Sequence, residues 1–154
     1  MKVRIPDECA EPSRNEKIVC AENRCKITFI NRARRKVVKY RIDGCRLLRD
    51  LLENPGCKLC DYLVAVESRG EEHYVELKGK HVQDALDQLA STIRQLKSSS
   101  PRSSVYCWVI ATESPRESSK FQVLRRKFER EFSARVKIRT SQCEHVLAAN
   151  GGVN

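Results

Sequence analysis

The sequence predicts an α/β protein in a single domain, a mixed central sheet flanked by helices and led by an N-terminal β-hairpin. Three observations carry this. Residues 61–78 hold two strand-like arms, Tyr62-Leu63-Val64-Ala65-Val66-Glu67 and His73-Tyr74-Val75-Glu76-Leu77-Lys78, around a polar break containing Gly70, the usual hairpin signal. Val82, Ala85, Leu86, Leu89, Ile93 and Leu96 then recur at helical spacing, the apolar stripe of a long helix. Val105 to Ala111 is a nearly continuous apolar run of strand length. A strand buried on both faces and reached through a helical crossover reads as a parallel neighbour in an α/β sheet.

In chain order, residues 1–24 are polar, contain Pro6 and Pro12 and show little periodicity, so they read as a tail or irregular arm. The domain proper is expected over 25–147. Lys26-Ile27-Thr28-Phe29-Ile30 and Val37-Val38-Lys39-Tyr40-Arg41-Ile42 read as the two strands of the N-terminal hairpin, joined by Asn31 to Lys36. Leu47, Leu48, Leu51 and Leu52 fit a short helix that Pro55-Gly56 ends. A later helix is expected to start at Ser118 or Ser119 and to bury Phe121, Leu124, Phe128 and Phe132. Val136 and Ile138 alternate with Arg135, Lys137 and Arg139, the pattern of an edge strand whose charges discourage further pairing. Residues 148–154 read as a C-terminal tail.

The 154 residues carry a formal charge of +10 and eight cysteines, with a pI near 9.4. Such an excess of cations points to a polyanionic partner, most commonly nucleic acid. No apolar run approaches the roughly 20 residues of a membrane span, and the first residues lack the apolar segment of a secretory signal. A soluble, cytoplasmic protein with mostly reduced thiols is the expectation. Cys57 and Cys60 have zinc-knuckle spacing, and Cys20 and Cys25 would complete four thiolates. A single such pair is weak evidence, and a buried free thiol is the favoured reading of Cys60.

The hairpin carries charge where its frame is apolar. With the turn centred on Arg69-Gly70, Asp61 falls opposite Lys78 and diagonal to Glu76, close enough for two carboxylates to share a cation. Asp61 followed fifteen residues later by Glu76-Leu77-Lys78, in the order hairpin, helix, buried strand, resembles the PD-(D/E)xK nuclease superfamily over roughly residues 43–111. The resemblance implies a restriction-endonuclease-like, Holliday-junction-resolvase-like fold and a hydrolase, an endonuclease cutting phosphodiester bonds. Asp61, Glu76 and the backbone carbonyl of Leu77 would bind Mg²⁺ or Mn²⁺, and Lys78 would orient the attacking water. A lysine beside two carboxylates is held charged, which suits positioning better than acting alone as a base.

Asp43 is the candidate for an additional upstream acid, with a turn aspartate as the equal alternative. Gln88, on the flank of the helical stripe, is the candidate auxiliary residue, although a solvated glutamine is the simpler reading. The sequence departs from the family in having Cys60 where a proline usually precedes the Asp. Arg32, Arg34, Arg35 and Lys36, with Arg125, Arg126, Lys127 and Arg130, are the expected phosphate contacts, salt-sensitive and sequence-neutral. DNA rather than RNA is the expected substrate, and a double-strand cut would require a homodimer. The competing reading is a non-catalytic nucleic-acid-binding or regulatory module on the same fold.

Overall fold

Periodicity and capping account for the long elements of the computed structural model, which describes residues 2–77, 81–96, 98, 104–113 and 118–148. The stripe from Val82 forms helix α2 (Val82–Gln95), which buries Ala85, Leu86, Leu89, Ala90, Thr92 and Ile93. Helix α3 (Ser119–Phe132) starts where Ser118 accepts a hydrogen bond from the Phe121 N–H and ends at Ser133 in the left-handed region. Such a serine satisfies one of the donors that a helix start leaves orphaned. The short helix α1 (Arg46–Leu51) is capped by Cys45, which is bridged by a disulfide to Cys9. The other six cysteines are free thiols.

Among the described residues nine strands make two sheets. The main one has the order β1 (Ala10–Ser13), β4 (Val37–Arg41), β5 (Tyr62–Val66), β6 (Glu71–Leu77), β7 (Ser104–Ala111) and β8 (Ala134–Thr140). Its first four strands pair antiparallel, and β6, β7 and β8 run parallel, linked through α2 and α3. The second sheet sets β3 (Cys25–Ile30) between β2 (Lys17–Glu22) and β9 (Gln142–Val146).

The main sheet is therefore covered on both faces. The helices seal one face over Leu63, Tyr74, Cys107, Val109 and Val136. The small sheet seals the other over Val64, Val75, Leu77, Trp108 and Ile110. Strand β6 lies between both layers, and all seven of its residues are buried, charged ones included.

Two expectations are corrected here. The segment read as an irregular arm contains β1 and β2, whose partners lie elsewhere in the chain. The N-terminal hairpin is β2–β3 rather than β3–β4, because β3 and β4 belong to different sheets. Buried Asn31 directs the chain from one to the other: its side chain donates to the Asn15 and Arg35 carbonyls and accepts from the Arg35 N–H.

Candidate functional site

The β5–β6 hairpin brings Asp61 to the end of β6 that carries Glu76. Val66 pairs with Glu71 and Tyr62 with Val75, where the ladder ends; the Asp61 N–H then bonds the Val75 carbonyl, which sets Asp61 beside the Val75–Leu77 end of β6 and not in register with Glu76. The turn is a 3-10 segment, Glu67–Arg69, closed by Gly70 in the left-handed region at φ 61°. Gly takes that conformation without a Cβ clash, so Glu71 re-enters the strand at once. The ladder thus differs by two residues from the register expected with the turn centred on Arg69-Gly70.

Asp61 is held by three hydrogen bonds at the mouth of the hairpin. Its N–H donates to the Val75 carbonyl (3.0 Å) and its carbonyl accepts from the Ile42 N–H (2.9 Å). Its Oδ2 accepts from the Leu77 N–H at 2.7 Å. The backbone of β4 and β6 thus fixes both the residue and the carboxylate plane, the kind of support a precise site requires.

Glu76 lies on the helix side of β6 and is 1 % exposed. Placing a carboxylate there is expensive unless it is paired or coordinated. Burial pushes the Cys60 thiol well above its ordinary range, and the nearby Glu76 and Asp61 charges push the same way, against the opposing influence of the Thr92 side chain. Cys60 is thus a neutral thiol beside two acids. Lys78, the remaining motif residue, lies outside the described residues.

Helix α2 clamps the segment that delivers Asp61. Gln88 Nε2 donates to the Leu59 carbonyl at 3.3 Å. One turn on, Thr92 Oγ1 accepts from the Cys60 N–H at 2.8 Å and donates to the Gln88 carbonyl at 2.7 Å. Gln88 serves here as a backbone clamp. Thr92, fully buried, was not anticipated from sequence; its only signal is a hydroxyl set four residues after Gln88 within an apolar stripe.

Asp43 stands at the same end of the sheet, just beyond β4, and pairs with Arg49 at 2.5 Å. Arg49 also donates to the Pro55 and Cys57 carbonyls, so the pair ties α1 to the loop before Asp61. The basic residues Arg32, Arg34, Arg35 and Lys36 lie at the other end of the hairpin, where Arg35 reaches Ser68 at 3.5 Å and Arg34 pairs with Glu16 at 3.7 Å. Arg125 donates to the Val136 carbonyl at 2.6 Å, while Arg126, Lys127 and Arg130 are exposed on α3. The four zinc-candidate cysteines divide between the two cores, Cys20 and Cys25 under the small sheet and Cys57 and Cys60 under the helices.

A second polar cluster occupies the face between the sheets. Ligand atoms of Glu71, His73 and His145 lie within 4.8 Å of one another. Trp108 Nε1 donates to His73 Nδ1 at 3.0 Å. An indole only donates, so Nδ1 is the acceptor and the His73 proton sits on Nε2, which gives it to Glu71 Oε1 at 2.6 Å. A metal on Nε2 would leave the ring with no proton for either nitrogen, so this donor set does not fit a metal. Burial lowers the pKa of His73 against the pull of Glu71. Burial alone would raise the Glu71 carboxyl, but hydrogen bonds and charge from His73 and Arg69 take it below the ordinary value.

Among the described residues no helix is long and apolar enough to cross a membrane. Comparison with family models, curated proteins and solved structures returned no match.

Proposed function

We propose that the chain is a metal-dependent nuclease of the PD-(D/E)xK type, with a restriction-endonuclease-like fold, that hydrolyses phosphodiester bonds in DNA. The observation that carries the reading is that Asp61, fixed by the Leu77 N–H, and buried Glu76 meet around Cys60 at the same end of a central hairpin. The order of elements supports it: antiparallel β4–β5–β6, then α2, then parallel β7.

The donor chemistry suits Mg²⁺ or Mn²⁺. Both acids offer hard oxygens, and Mg²⁺ typically takes one or two carboxylates and keeps several waters. Asp61 and Glu76 would hold the ion together with the Leu77 carbonyl. When bound, such an ion lowers the pKa of a coordinated water and screens the phosphate charge. The Leu77 N–H orients the Asp61 carboxylate, and α2 holds the approach through Gln88 and Thr92. Lys78 is assigned to position the attacking water and to offset charge developing on the phosphate.

The test uses purified protein with Mg²⁺ or Mn²⁺ on plasmid and on single-stranded DNA. Asp61→Asn preserves an oxygen for the Leu77 N–H while removing the charge. Cleavage is expected to fall about 100-fold or more in Asp61→Asn and in Lys78→Ala, the scale of losing several kcal/mol of charge stabilisation. Mn²⁺ is expected to raise the melting temperature of the parent and not of Asp61→Asn. Cleavage unchanged in both variants sinks the site. Binding without cleavage assigns the chain to the non-catalytic alternative.

A further inference from the structure

Strand β8 ends the main sheet, and its alternate residues Arg135, Lys137 and Arg139 share one face. They pair in register with Tyr106, Trp108 and Ile110 of β7, which puts all three on the side of the small sheet. Same-face residues on a strand recur about every 6.6 Å, comparable to the span of a nucleotide along an extended single strand.

Two features separate this row from ordinary edge protection. Among the described residues none of its three cations forms an ion pair with an acid, and Arg139 donates to the Ile138 carbonyl, but exposed Arg126, Lys127 and Arg130 are equally without one, so the distinction lies in the setting. The guanidiniums are also seated against aromatic rings, Arg135 at 5.9 Å from the Tyr106 centroid and Arg139 at 5.9 Å from that of Trp108. Finally, half-buried Tyr106 is fixed by parallel stacking on His73 at 4.7 Å and 8°. Cations along a strand beside a rigid ring are the elements from which single-strand surfaces are built.

We infer that the Arg135–Lys137–Arg139 face of β8, with Tyr106 beside it, binds an extended single strand of nucleic acid. The row supplies the phosphate contacts, and Tyr106, held between His73 and the Arg135 guanidinium, fixes the row's first cation in place. The register connects this surface to the candidate site: Leu77, Ile110 and Arg139 form one row across β6, β7 and β8, which sets Arg139 about 10 Å from the end of β6 at the usual strand spacing. Arg139 thus stands at the same end of the sheet as the candidate site, on the small-sheet face, while Glu76 is on the helix face. The inference deepens the nuclease reading and rests on it for the class of polyanion.

The experiment reads binding without cleavage, by fluorescence anisotropy of a labelled oligothymidylate with chelator present, across a salt series. Arg135→Ala/Lys137→Ala/Arg139→Ala is expected to reduce the slope of log K against log salt by about 2, at about 0.7 for each phosphate no longer neutralised. Affinity at moderate salt should fall on the order of tenfold or more. Lys17→Ala/Arg24→Ala/Arg46→Ala removes equal charge from exposed positions elsewhere and should leave the slope as in the parent. Equal effects of the two triple variants, parent-like binding by the β8 variant, tighter binding of a duplex of the same length, or no binding by the parent each overturn the inference. Failure to cleave with metal, with this binding pattern intact, overturns only the nuclease reading.

Discussion

Replacing Thr92 by valine isolates the contact that holds the Asp61 segment against α2. The side chains are close in shape, so the principal loss is the oxygen that accepts from the Cys60 N–H at 2.8 Å. Thr92 and Cys60 are both fully buried, and water cannot replace the missing acceptor. A buried donor left in this way costs about 1–3 kcal/mol. The Gln88 carbonyl that Thr92 also contacts already accepts in the helical ladder, which keeps the expected total near 2 kcal/mol. For a chain of this length each kcal/mol moves the melting temperature about 2–4 °C, so a fall of about 4–8 °C is expected by differential scanning calorimetry. Thr92→Ser retains the hydroxyl and should lose only about 1 kcal/mol, from a missing methyl. A valine variant melting with the parent would refute the clamp. A serine variant falling as far as valine would assign the effect to packing instead.

Acid should destabilise the fold through the cluster between the sheets. Burial is the first cause holding the pKa of both His73 and His145 below the ordinary histidine value, that of His145 at about 4. The unfolded chain takes up these protons near pH 6.5 and the folded chain does not. Stability is therefore complete above about pH 6.5 and declines as the pH falls toward about 4. Glu71, Arg69, Lys137, Arg139, Tyr106 and Trp108 also face these rings, and the lowered Glu71 pKa adds a further loss at lower pH. Urea midpoints from about pH 7.5 to about 4.5 should decline, and less steeply in His145→Gln; a flat profile would contradict the argument. The Cys9–Cys45 disulfide closes a loop with a separation of 36 residues, for which chain entropy gives about 3–4 kcal/mol. Cys9→Ser should lose that amount in urea unfolding without reductant, and a change below about 1 kcal/mol would show that the bridge does little.

Elements whose burial is repeated locally could be recognised in the chain. The α2 stripe, the Ser118 cap with its Phe121 and Phe128 face, and the apolar run of β7 each state their environment within a dozen or so residues. Strand β9 does not. Its residues alternate between exposed and half-buried, and its partner β3 lies far back in the chain. Strand β1 was hidden for the same reason, since its partner is β4, and the polar Asn31–Lys36 link resembles a hairpin turn until Asn31 is seen to be buried at a sheet-to-sheet corner.

The candidate site divides along the same line. Sequence alone determined that two carboxylates and a lysine ride on an apolar hairpin followed by an amphipathic helix, because residue type and period are local properties. The tertiary structure decided the β5–β6 register, closed by Gly70 in the left-handed region, and the bond from the Leu77 N–H that fixes the Asp61 carboxylate. It also decided that Thr92 and Gln88 clamp the approach and that Arg49 engages Asp43. The same holds for the cations of β8, which it sets in register with the aromatic residues of β7. Each of these depends on which distant segments share a layer, and pairing across layers leaves no periodic trace in the chain that supplies it.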